Sequence, residues 1–124
     1  MAAASDSSSI SIEWAMSELL RNPRVLKKLQ DELERVVGMG RVVQESDLPR
    51  LVYLQAVVKE TLRLHPAGPL LLPHMSTETC HVLGFEIPGG TRLLLNAWAI
   101  GRNPKSWGRM LKVSSQRDSW KKGS

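Results

Sequence analysis

The stretch Lys59–Pro66, KETLRLHP, closes a longer run, LVYLQAVVKETLRLHP, at residues 51–66. The run reads as one helix that Pro66 ends, because a proline disfavours helical backbone at the residue before it. Glu60 and Arg63 are three apart, so they share a face. On a solvated face such a pair stabilises by only roughly 0.2–0.5 kcal/mol. Here Val57, Val58, Leu62 and Leu64 flank it, and the helix is apolar over most of its circumference. A helix of that kind is buried on several sides. A buried charged pair needs further partners to offset desolvation. Arg63 offers five donors in a rigid fork, more than one carboxylate can use. The pair is therefore expected to reach loop backbone or another charged group.

Upstream, the pattern from Ala3 to Arg21 is helical, with Ile10, Trp14, Ser17 and Leu20 in one stripe beside Ile12, Ala15, Met16 and Leu19. Asn22-Pro23 stops this helix and starts the next, with Asn22 as N-cap and Pro23 at the first helical position. The second helix runs to about Val37 on an apolar face of Val25, Leu26, Leu29, Leu33, Val36 and Val37. Gly38 follows as its C′ residue. GMGRVVQESDLPR (38–50) is a loop, and Ser46 or Asp47 caps the third helix, expected from about Pro49 to Leu64. After Pro66 the character changes. PAGPLLLP is an extended, proline-bounded apolar segment. ETCHVLGFEIPGGTRLLLN (78–96) reads as two strands joined through Pro88-Gly89-Gly90. Asn96 caps a short helix that breaks at Asn103-Pro104. Residues 109–124 are polar and basic and are expected to be an unstructured tail, leaving 1–108 as the structured part.

The chain has 124 residues, 42% of them hydrophobic, which suits one ordinary globular domain. Its net charge of +5 is concentrated in the tail; without residues 109–124 the chain is close to neutral. That argues against a basic nucleic-acid-binding face. A helical, non-enzymatic binding module with a basic tail remains an alternative. The single cysteine, Cys80, leaves no internal disulfide and no multi-cysteine zinc site. Cys80 and His81 point to opposite faces of a strand, so Cys80 reads as a small packing residue. No apolar run approaches a membrane span, and MAAASDSSSIS lacks the basic-then-apolar order of a signal peptide.

Two further stretches carry open readings. Ala3-Ala4-Ser5-Asp6-Ser7-Ser8 is either a ragged serine-rich helix start or an acid beside an alcohol that relays protons to a bound oxygen species. His65 to His74 is either a proline-stiffened connector whose leucines fill a core, or an apolar wall with a hydrogen-bonding end at His74.

Taken in order, AASDSSSISIEWAMSELLRNP (3–23), VVKETLRLHPAGPLLLPH (57–74), GFEIPGGT (84–91) and LNAWAIGRNPKSW (95–107) resemble the cytochrome P-450 family of haem-thiolate monooxygenases. The plant microsomal members that oxidise secondary metabolites are the most similar. The resemblance implies a mainly α fold with a small antiparallel β-hairpin, as part of the P-450 fold. It implies that Ala3 and Ala4 line the haem face and that Asp6 and Ser7 feed protons to iron-bound dioxygen. The family usually has Gly at position 4 and Thr at position 7. Glu60 and Arg63 match the E-x-x-R pair, a latch that would hold the haem-ligating loop through a second arginine. Ala67, Gly68, Leu70 and Leu71 match the substrate-pocket border, and His74 a position set against a haem propionate. Haem, an NADPH-dependent reductase, a small apolar substrate and the endoplasmic reticulum membrane are the implied cofactor, partners and location.

The departure is equally specific. The haem-ligating loop F-x-x-G-x-R-x-C-x-G and the P-E-R-F segment are absent from the sequence, and Cys80 does not replace the ligand. The chain is therefore expected to be an internal fragment that is inactive alone, or a truncated product without function.

Overall fold

A computed structural model of the chain describes residues 2–107, with side chains from residue 6 onward. The tail expected at 109–124 lies outside the described residues. Three helices form the body: α1 (Ala2–Arg21), α2 (Pro23–Val36) and α3 (Val52–Leu64). Leu19, Val25, Leu29 and Val57 form the buried core where they meet, with Leu26, Leu33, Tyr53 and Leu54 packed around it.

The α1–α2 boundary falls at Asn22, but its side chain does not cap α2. Instead the Asn22 amide donates to the Glu18 carbonyl at 2.8 Å, closing the end of α1. The Asn22 carbonyl accepts from Val25 and Leu26 at 2.9 and 3.1 Å, and Pro23 opens α2. At the other end of α2, Gly38 has φ +83° and donates to the Leu33 and Glu34 carbonyls. This left-handed position is one that glycine fills without a Cβ penalty.

The third helix starts later than the sequence pattern suggests. Glu45–Arg50 is a 3₁₀ turn, and Leu51 breaks the backbone before α3 begins at Val52. Neither Ser46 nor Asp47 caps α3. The cap comes from α2: the Glu32 carboxylate accepts the Tyr53 and Leu54 N–H groups at 2.8 and 2.9 Å. Glu32 is buried, and it satisfies two of the donors that a helix start leaves without intrahelical partners.

Asp47 has a different task. It is 1% exposed and accepts from both Arg41 terminal nitrogens, from Arg50 and from the Gln44 backbone N–H. This staples the 38–50 loop onto the 3₁₀ turn. The Arg41 hydrogen bond, then the backbone bond from Gln44, hold the Asp47 carboxyl well below the usual carboxylate range. A depressed folded-state pKa stabilises above the unfolded value of about 3.9 and is lost as pH falls. Asp47→Asn should therefore lower the melting temperature at pH 7. It should also flatten the decline that the wild-type chain shows below about pH 4, as read by circular dichroism melts across pH.

The strands pair differently from the sequence expectation. β2 (Cys80–Val82) and β3 (Phe85–Ile87) form a hairpin turned at Leu83-Gly84, both with positive φ. That pair of dihedrals suits a two-residue hairpin turn. Pro88-Gly89-Gly90 instead leads to β4 (Arg92–Leu93), which pairs with β1 (His74–Met75). The joint is tied down at Ser76, whose hydroxyl donates to the Pro88 carbonyl at 2.8 Å and accepts from Thr91 N–H at 2.9 Å. The fold is thus mainly α with two small antiparallel ribbons rather than one hairpin.

Two short helices close the described chain. α4 (Ala97–Gly101) is capped by Asn96, whose side-chain oxygen accepts from Ala99 N–H at 2.9 Å. α5 (Pro104–Trp107) follows the break at Asn103-Pro104. Gly101 is buried directly against the last turn of α3, where a β-carbon would collide with the Arg63 carbonyl.

Candidate functional site

The geometry is most developed around Glu60 and Arg63. Their side chains are 14% and 6% exposed. Arg63 Nε donates to Glu60 Oε2 at 2.7 Å and its Nη2 to Oε1 at 2.6 Å, a bidentate fork on one carboxylate. Paired N–H donors of this kind fix orientation as well as charge. The third donor, Nη1, reaches the Gly101 carbonyl on α4. The guanidinium also lies 5.2 Å from the Trp107 ring centroid, within cation–π range. Trp107 is held in turn by its indole N–H, which donates to the Ile100 carbonyl at 2.9 Å. Arg63 is therefore oriented from α3 and from the α4–α5 corner.

Arg102, next to Gly101, stacks over Trp98 at 4.2 Å. Its Nη1 is buried without a hydrogen-bond partner among the described residues. The end of α3 thus gathers the Arg63 guanidinium, the Glu60 carboxylate, the Gly101 carbonyl and the Trp107 ring, with the Arg102–Trp98 stack on the adjoining α4 and its end.

The other candidates are placed as follows. Ala3 and Ala4 lie on the first turn of α1, and their side chains are outside the description. Asp6 and Ser7 are exposed on the same end of α1. The segment holding Ala67, Gly68, Leu70 and Leu71 is not extended as its prolines suggest. Gly68–Leu71 is a turn, closed by Leu71 N–H on the Gly68 carbonyl at 3.0 Å, with Leu71 at φ +54°. Leu70 and Leu71 are about half exposed. The turn is tied to α4 by Trp98 N–H on the Pro69 carbonyl at 3.1 Å, so it sits beside the Arg63 cluster. His74 is exposed on β1, opposite Leu93.

Cys80 is exposed on β2 opposite Ile87, while His81 on the other face meets Glu86 at 3.7 Å. Among the described residues, no three His, Cys, Asp or Glu side chains are grouped to hold a metal ion. No helix among them is long and apolar enough to cross a membrane.

Sequence reasoning missed Glu32 and the Gly101 carbonyl, and gave Asp47 a capping role in place of its pairing with Arg41 and Arg50. Glu32 had one readable signal: it follows Val25 and Leu29 on the buried stripe of α2, where an acid needs a partner. Gly101 had none, since its carbonyl is 38 residues from Arg63.

The cytochrome P-450 family model matches residues 1–118. A dimethylnonatriene synthase from Zea mays is 59% identical over 107 residues, covering 86% of this chain and 20% of the relative. An iridoid oxidase from Catharanthus roseus is 54% identical over 115 residues, covering 93% of this chain and 22% of the relative. A solved zebrafish cytochrome P-450 structure with progesterone superposes with a TM-score of 0.79 at 36% identity, covering 86% of this chain and 25% of that one. The chain thus spans about a fifth of the length of the curated relatives it matches. The buried Glu60–Arg63 pair on α3 and the match along nearly the whole sequence lead to one conclusion: the chain belongs to the cytochrome P-450 family.

Proposed function

We propose that this chain is the latch-bearing segment of a haem-dependent monooxygenase that inserts one oxygen atom from O₂ into a small apolar substrate, with electrons from NADPH through a reductase. The observation that carries the proposal is the buried Glu60–Arg63 pair clamped to the Gly101 carbonyl. An ion pair bound this way is an orienting device more than a source of stability. Asp6 and Ser7 supply the acid and alcohol for proton movement on α1. Ala67, Gly68, Leu70 and Leu71 border the substrate, Ala3 and Ala4 face the haem, and His74 offers its imidazole to a haem propionate. Oxidation of plant secondary metabolites is the reaction class supported by relatives named iridoid oxidase and flavonoid 3′-monooxygenase.

The donor chemistry present does not fit ligation of a haem iron. A thiolate ligand is what drives O–O cleavage in this class of haem enzyme. The sole cysteine is the strand residue Cys80, and the sequence holds no F-x-x-G-x-R-x-C-x-G loop. By itself, then, the chain is an inactive scaffold segment. After haem is added and reduced under CO, its absorption spectrum should lack the Soret band of thiolate ligation. Appearance of that band would overturn this part of the proposal. The catalytic part is tested by grafting: residues 1–107 replace the matching segment of the maize dimethylnonatriene synthase. The chimera should incorporate haem with thiolate ligation and turn over; a chimera that folds without haem contradicts the assignment.

A further inference from the structure

We propose that His65 is a positioning residue, which fixes the register of α3, and with it the Arg63 latch, against α1. The inference rests on reading Glu60 and Arg63 as a latch. None of the partners given for Arg63 sets α3 against α1: Glu60 belongs to α3 itself, Gly101 to α4 and Trp107 to α5. Beside the α1–α3 seam, Ser11, Ile12, Ala15, Val58, Thr61 and Leu62 line an apolar crevice of about 100 Å³. Apolar packing is therefore incomplete along this part of the seam.

The polar contact at the end of α3 adds a directional restraint to the Leu19–Val57 core packing on this seam. Trp14, Glu18 and Asn22 follow at four-residue intervals and so stack on one face of α1 and its end. The His65 ring lies parallel to the Trp14 ring, 5° between planes and 4.0 Å between centroids. Its Nε2 is 3.1 Å from Glu18 Oε1. At this distance the two groups are within hydrogen-bond reach, with the ring N–H as donor and the carboxylate as acceptor in the Nε2–H tautomer. Asn22 holds the carboxylate, donating to Glu18 Oε2 at 3.4 Å and to the Glu18 carbonyl at 2.8 Å. His65 and Glu18 side chains are only 15% and 20% exposed.

The two contacts restrain different movements. Stacking resists displacement across the ring plane, and the hydrogen bond resists rotation within it. The backbone is equally fixed: His65 N–H donates to the Thr61 carbonyl at 2.7 Å, and Pro66 blocks further helix. Arg63 is two residues earlier and leaves α3 on another face. His65 therefore acts on Arg63 through the helix backbone rather than by touching it.

The test is solvent exchange of the Arg63 Nε–H proton, followed by NMR in the full 124-residue chain. His65→Ala is expected to raise the exchange rate about tenfold, as for a local opening made easier by about 1.4 kcal/mol. His65→Phe keeps a ring for stacking but removes the hydrogen bond, and should give an intermediate rise while staying folded. Glu32→Gln is the control, because it weakens the start of α3 without touching the His65 contact. If Arg63 exchange rises as much in Glu32→Gln as in His65→Ala at matched loss of global stability, His65 is merely structural and the proposal fails. Unchanged exchange in both His65 variants overturns it as well. These results are independent of haem binding by the chimera, so failure of the positioning role and failure of the monooxygenase reading are separable.

Discussion

Glu60→Ala is expected to destabilise the chain by about 3–5 kcal/mol, because it leaves the Arg63 guanidinium buried without its carboxylate. The Gly101 carbonyl and the Trp107 face remain, but neither carries a full negative charge. A loss of this size is a large share of the roughly 5–15 kcal/mol that holds a typical domain together. The double variant Glu60→Ala/Arg63→Met should recover much of it, since no charge is then left unpaired. Urea titration followed by helical circular dichroism measures both. Equal losses in the single and double variants would mean that the pair contributes by packing alone.

Glu32→Ala should cost about 2–4 kcal/mol, though Glu32 touches none of the proposed catalytic residues. It removes two charge-assisted hydrogen bonds and deprives the Tyr53 and Leu54 N–H groups of the Glu32 acceptor at a partly buried helix start. The damage should begin at the first turn of α3. Amide exchange should therefore speed most at residues 53 and 54. Glu32→Gln keeps one acceptor oxygen and should lose about half as much. The same urea titration, with amide exchange read residue by residue, distinguishes this local fraying from general loosening.

Local signals account for most of what the sequence revealed. Asn22-Pro23, Gly38, Asn96 and Asn103-Pro104 all mark helix boundaries that the structure reproduces, because each acts within a few residues of itself. The start of α3 was misplaced because its cap comes from Glu32, some twenty residues upstream. Asp47 looked like a cap because an acid before a helix usually is one; two arginines and a backbone N–H claim it instead. The hairpin was misread because Pro88-Gly89-Gly90 is the louder turn signal. Leu83 is a poor residue for positive φ, and it concealed the turn it makes with Gly84.

The site divides along the same line. Burial of the Glu60–Arg63 pair was legible from its apolar flanks. Its anchoring on Gly101, and the His65 contact with Trp14 and Glu18, depend on tertiary neighbours far along the chain. The leucines of 70–72 could not be assigned from hydrophobicity alone. They read either as core filling or as an apolar wall; the backbone turns at Gly68–Leu71 and leaves Leu70 and Leu71 about half exposed and Leu72 mostly so, which is not core filling among the described residues.

As proposed, Arg63 of this segment would hold a haem-ligating loop in place. The most direct measurement is the reduced, CO-saturated absorption spectrum of the chimera with the maize synthase, recorded beside its Arg63→Lys variant. Lysine keeps the charge but cannot make the bidentate fork. A thiolate Soret band is expected in the chimera and is expected to be lost in the variant, with the polypeptide still folded. A band of equal height in both would contradict it.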